Sequence, residues 1–291
     1  MSIHRKRKIK RWSVRILILV ILLPFVTLAI VRYAGWFRMR KTDREIKAYL
    51  GPHVVTAAMD TLSLRGRDIV YLQTAKGEQK KGALVFVHGS PGSIDAFLDY
   101  MVDTSLLARV DLVCYDRPGF GNSTFGYSVP SLSGQAVILN SLMDSLGYEH
   151  YWLAGHSYGA PILVQSAMRR PSKVEGLCLI AGSVSPELEP TNIAWRKWLD
   201  LPLLRDLLPV SMKVSNEELM PLRQDLTMID DDWDRLKMSV SIIHGTQDAL
   251  VPFGNLEYAK SKLIAADTVT TLIFNGESHF ILWTHKQQIV G

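Results

Sequence analysis

The chain has 291 residues, 47% hydrophobic and 21% charged, with no low-complexity tract or internal repeat, which excludes a disordered protein or a solenoid and leaves one large domain or two small ones. Its net charge of +5 comes from the first forty residues, which hold ten Lys/Arg and no Asp/Glu; the remainder has 23 basic against 28 acidic residues. An acidic remainder lacks the basic face that nucleic acid requires, so no nucleic-acid partner is expected.

Residues 1–15 read as a basic tail. Ile16 to Val31 is an apolar run of sixteen residues, softened only by Thr27, somewhat short of the ~20 that a bilayer core asks for. Arg15 and Arg32 can snorkel, and Trp12, Tyr33 and Trp36 flank the run as interfacial anchors, so residues 16–33 are expected to form a single transmembrane helix. A cleaved signal peptide is the alternative, but "TLAIVRYAGW" offers a poor cleavage site. Seven Lys/Arg precede the run, which predicts a cytoplasmic N-terminus and a folded domain on the extracytoplasmic side. Residues 34–53 are polar with helical spacing and read as a stalk, with the domain proper, 54–291, starting near Val54.

Alternation on both sides of "RGRD" predicts an antiparallel hairpin over residues 60–75. From there the pattern changes: "ALVFVH", "VDLVCYD", "YWLAGH", "GLCLIAG", "SVSIIHG" and "TVTTLIFN" are continuous apolar runs separated by helical stretches such as "SLSGQAVILNSLMDSLG" and "EYAKSKLIAA". Runs of this kind, buried on both faces and alternating with helices, predict an α/β domain with a mostly parallel sheet covered on both sides. Cys114 and Cys178 lie inside two of the runs and are expected to be buried free thiols. Between "GLCLIAG" and "SVSIIHG" about residues 183–238 replace one crossover helix and read as a small helical lid, whose Trp195, Trp198, Leu201, Leu203 and Leu204 either line a substrate pocket or pack the lid onto the body.

Ser157 follows the strand "HYWLA" and precedes a helix, with Gly155 and Gly159 two residues away on each side and His156 between. A serine on a strained strand-to-helix turn needs small neighbours at those two positions, and the helix N-terminus behind it offers N–H groups to a developing oxyanion. A helix N-cap serine is the competing reading, and partners decide between them. Of the eight histidines, His279 follows the last strand after a Gly-containing turn and faces the same cleft, while His88, His156 and His244 read as structural. Asp248 comes after the preceding strand, giving the chain order Ser, Asp, His. Asp230, Asp231 and Asp232 read as a solvated face, and Asp116 in "YDRPGFG" as a brace for a tight loop.

With these motifs in place the sequence resembles the α/β-hydrolase superfamily over roughly residues 60–285: "HGSPG" at 88–92, "DRPGFGNS" at 116–123, "GHSYG" at 155–159, "GTQDALVP" at 245–252 and "ESHF" at 277–280 stand in that family's order. The resemblance implies Ser157 as nucleophile, His279 as general base and Asp248 as the carboxylate that orients it. It also implies an oxyanion hole from the N–H of Tyr158 and an N–H of the "HGSPG" loop; Pro91 has none to give, which leaves Ser90. "HGSPG" and "DRPGFG" are similar to epoxide hydrolases and haloalkane dehalogenases as well, but their nucleophile is an aspartate where this chain has Ser157. Serine implies acyl transfer to water, with an ester or lipid-like molecule as substrate; C–C bond and amide hydrolysis on the same residues is the alternative, and a non-catalytic binding module a third. No metal cluster, phosphate loop or dinucleotide fingerprint is present in the sequence, and no cofactor is expected.

Overall fold

The computed structural model describes residues 39–53, 55–75 and 82–291, the Leu203 side chain excepted, together with scattered positions between 12 and 30. Seven of the eighteen residues of the expected span 16–33 and all of residues 1–11 therefore lie outside the described residues. Among the described residues no helix is long and apolar enough to cross a membrane.

Residues 43–50 correct the stalk reading. Helix α1 (Asp43–Leu50) is closed by a capping box, in which Thr42 Oγ accepts from the Glu45 N–H at 3.3 Å and the Glu45 carboxylate accepts from the Thr42 N–H at 2.6 Å. Its Ile46 and Leu50, four residues apart on one face, are buried in the core of the domain. Residues 43–50 are thus part of the folded body, which begins before Val54.

Strands β1 (Ala57–Leu64) and β2 (Arg67–Thr74) form the expected hairpin, turning at Arg65 and Gly66. Then follow β3 (Ala83–Val87), the short helices α2 (Leu98–Met101) and α3 (Thr104–Leu107), β4 (Asp111–Tyr115), α4 (Leu132–Leu146), β5 (Tyr151–His156), α5 (Gly159–Arg169) and β6 (Val174–Ile180). The lid holds α6 (Ala194–Leu199), α7 (Pro202–Leu207), α8 (Val210–Leu219) and α9 (Leu222–Met228). The chain returns through β7 (Ser239–Gly245), α10 (Gly254–Lys262) and β8 (Val269–Phe274), and ends in α11 (Ile281–Thr284) and α12 (Lys286–Val290).

The eight strands make one sheet in the order β1-β2-β4-β3-β5-β6-β7-β8, antiparallel on both sides of β2 and parallel from β4 to β8. Successive side chains of β3 enter opposite layers: Val85 and Val87 pack with α4 and α5, Phe86 with α1, α2 and α11. Both faces are therefore apolar, which is why the strands read as unbroken hydrophobic runs.

Cys114 is buried on β4, but Cys178 is only half-buried, against expectation. It opens onto a groove of about 550 Å³ across β3, β5, β6 and β7, lined also by Phe86, Tyr100, Leu177 and Val290. The face is covered there by α12, which has only five residues. In the lid, Trp195, Trp198 and Leu201 are exposed and so do not pack the lid onto the body.

Candidate active site

Parallel strands all end at one edge, and Ser157, Asp248 and His279 follow the carboxyl ends of β5, β7 and β8. Ser157 has φ of +56°, a left-handed conformation that is strained for a residue with a side chain and is sustained only by its surroundings. Its N–H donates to Ile180 O at 2.9 Å, and its carbonyl accepts from Ala160 N at 3.1 Å and Ser183 N at 3.3 Å. The flanking glycines are required by close approach: a Cβ on Gly159 would sit 2.2 Å from Val87 O, and one on Gly155 2.9 Å from the Gly159 carbonyl carbon. The turn thus crosses β3 too tightly for any side chain at these two positions.

Asp248 is wholly buried and fully satisfied. One oxygen accepts from the N–H groups of Leu250 at 2.9 Å and Val251 at 2.8 Å. The other accepts from His279 Nδ1 at 2.7 Å, with His244 Nε2 at 3.3 Å. Burial raises the proton affinity of this carboxyl, but the bonds from His244, His279 and the Val251 N–H outweigh it and hold the group well below the usual carboxylate range. An ionised Asp248 therefore fixes the proton of His279 on Nδ1 and leaves Nε2 to accept one. No hydrogen bond joins Ser157 Oγ to His279 among the described residues.

His156 and His88 have structural roles, as their positions suggested. His156 packs its ring 4.6 Å from that of His279 and donates through Nε2 to the His279 carbonyl at 3.1 Å. Burial, with the His279 ring beside it, pushes it down to about 3, so it is neutral at ordinary pH. His88 donates through Nδ1 to Gly89 O at 2.8 Å and accepts at Nε2 from the Arg117 N–H at 2.9 Å; burial and the Arg117 charge keep it neutral too.

The loop "HGSPG" runs against the serine turn: a Cβ on Gly89 would meet Ser157 Cβ at 3.0 Å. Ser90, the next residue, donates its hydroxyl to Ser215 Oγ on α8 at 2.8 Å. Among the described residues no acceptor meets the backbone N–H of Ser90 or of Tyr158, which stands at the N-terminus of α5. These are the two donors named for the oxyanion hole.

One part of the site was not legible beforehand. Arg117, fully buried, forms a two-pronged ion pair with Glu218 of α8 at 2.8 and 2.9 Å, and donates to the carbonyls of His88 and Gly89 at 2.9 Å and to Gln135 Oε1 at 2.6 Å. The guanidinium thereby ties the lid to the loop carrying Ser90. An Arg with a Glu 101 residues later leaves no local signal; its only trace was its place beside Asp116. Asp116 braces as expected, its oxygens accepting from Ile94 N and Asn122 N at 2.7 Å each, while burial pushes its carboxyl up to about 7.

Residues 82–208 match the family model described as an alpha/beta hydrolase fold. A membrane phospholipase A described as a bacterial virulence factor superposes with a TM-score of 0.62 over 95% of this chain and 97% of its own, at 18% identity. The carboxylesterase CesB of Bacillus subtilis superposes with a TM-score of 0.59 over 85% and 93%, at 16% identity. The chain has the α/β-hydrolase fold. Among sequence relatives, the dihydrolipoyllysine-residue acetyltransferase component of the acetoin cleaving system of Cupriavidus necator is 27% identical over 131 residues, 45% of this chain and 34% of the relative. The chain thus spans about a third of that relative's length. Among the described residues no group of His, Cys, Asp and Glu is arranged to hold a metal ion.

Proposed function

We propose that this α/β hydrolase is a serine hydrolase that cleaves carboxylic esters through an acyl-enzyme. The observation that carries the reading is a left-handed Ser157 and an Asp248 bonded to His279 at 2.7 Å, all on loops at one edge of the sheet. His279 Nε2 takes the Ser157 proton as Oγ attacks the ester carbonyl. The carbonyl oxygen becomes an oxyanion held by the N–H groups of Ser90 and Tyr158. The tetrahedral intermediate collapses, His279 returns the proton to the leaving alcohol, and a water activated by the same histidine releases the acid.

Labelling by a fluorophosphonate probe tests this without knowledge of the natural substrate. Wild-type protein is expected to label and to hydrolyse nitrophenyl esters, and Ser157→Ala to do neither. A folded wild type that fails to label would refute the reading.

Residues 16–33 are proposed as a membrane anchor, with the N-terminus cytoplasmic and the domain extracytoplasmic. Ile16, Leu19, Leu23, Val26 and Ile30, large apolar side chains described in this stretch, are more than half exposed, which supports lipid as their surroundings. Flotation of the full chain with vesicles tests the anchor, and protease access in cells stripped of outer barriers tests the side.

A further inference from the structure

Where the chain enters the domain decides which side of the domain faces the anchor. The Arg40 guanidinium donates to Gly121 O at 2.8 Å and lies 4.0 Å over the Phe125 ring, and Lys41 O accepts from the Asn122 side chain at 3.3 Å. Gly121, Asn122 and Phe125 belong to the loop that leaves the carboxyl end of β4, the same edge that carries Ser157. From Tyr33 to Arg40 the chain advances seven residues, a reach of at most about 25 Å. The six residues of β5 separate the two edges of the sheet by about 20 Å more.

The lid stands on that edge and adjoins the tether. A groove of about 570 Å³ separates Phe125 and Tyr127 from Arg205 of α7 and Val210 and Lys213 of α8. Beyond it, α6 presents Trp195 at 55% and Trp198 at 65% exposure, with Leu201 at 51% just after the helix. The two tryptophans are three residues apart on one face, beside Arg196 and Lys197. Exposed Trp next to Arg and Lys is the composition that settles at a membrane–water interface.

We propose that the carboxyl edge of the sheet faces the bilayer, held within about 25 Å of it by the tether, and that α6 docks on the lipid surface through Trp195 and Trp198. This rests on the anchor reading of residues 16–33, not on the identity of the reaction. Its consequence is that the substrate comes from the lipid phase, since Ser157 opens at the docked edge and an ester dissolved in the bilayer reaches it without crossing water.

The test uses the full chain in phosphatidylcholine vesicles, with tryptophan emission of the wild type compared with that of Trp195→Phe/Trp198→Phe. Subtracting the two isolates the lid tryptophans, because the other five, Trp12, Trp36, Trp152, Trp233 and Trp283, emit equally in both. If the edge is docked, this difference emission is lost when the lipid is brominated near the headgroup and largely kept when bromine lies deep in the acyl chains. If the chain floats with the vesicles but the difference emission survives both lipids, the edge faces water and the docking is overturned with the anchor intact. If the chain does not float at all, the anchor reading falls and the docking with it.

Discussion

Two single residues make claims that stability measurements can check. A Cβ on Gly121, whose φ is +52°, would lie 2.0 Å from the Asp116 carboxyl carbon, so the loop cannot keep its brace once a methyl group is present. Gly121→Ala is expected to cost about 2–4 kcal/mol, read as a lower urea midpoint. Asp248 gives a pH dependence whose sign is fixed by its environment. Its carboxyl is held below the usual range in the folded state, whereas the unfolded chain takes up the proton near the ordinary value of about 3.9. The stabilisation is therefore complete above that value and drains away as the pH falls toward the folded one. Wild type should lose stability on acidification below about pH 4, and Asp248→Asn should flatten that loss in urea titrations at successive pH values. The same variant should lower kcat by roughly 10⁴-fold, because an amide in place of the carboxylate selects the wrong histidine tautomer.

The lid and the body are joined by an element-to-element contact with separable contributions to stability and turnover. Arg117→Met leaves Glu218 buried and unpaired, and a loss of about 3–5 kcal/mol is expected. Arg117→Met combined with Glu218→Leu removes both charges and should recover much of that stability. It should not recover kcat, because the carbonyls of His88 and Gly89 still lack the donor that orients the Ser90 loop. Urea denaturation set beside nitrophenyl ester hydrolysis reads the two effects apart; full recovery of kcat in the double variant would confine Arg117 to stability. The network also marks what the chain reveals on inspection. Strands β3 to β7 were legible because both faces are buried, so apolar continuity alone marks them, whereas β8, where the run "TVTTLIFN" read in the same way, has no fully buried residue; Ser157, Asp248 and His279 were singled out because each comes after the end of one of these strands. Arg117 and Glu218 were not, since their pairing exists only once the lid closes over β4. Nor was the tie between Asp230 and Lys262 at 2.7 Å, in a run of aspartates whose composition alone suggested solvent.

At the scale of the whole molecule, the beginning of the domain is the place where sequence pattern and packing diverge. A polar segment with apolar residues every fourth position reads equally as a solvated stalk helix or as one laid on a sheet, because periodicity records a face and not what covers it. Packing resolves this for α1. Ile46 and Leu50 join the cluster that contains Phe86, Phe97 and Met101, and Tyr49 bonds through its hydroxyl to Asp99 of α2. Burying one Ile and one Leu is worth about 3–5 kcal/mol, a substantial part of what holds a domain together. A chain cut to 39–291 should thus unfold in urea at the same midpoint as the domain of the full chain. One cut to 54–291 should unfold at a markedly lower midpoint or fail to fold, since it exposes Phe86 and Phe97 where α1 had covered them. Equal midpoints for the two truncated chains would return residues 43–50 to the role of a stalk, and would also weaken the tether argument, which depends on residues 40 and 41 being fixed to the body immediately before that helix.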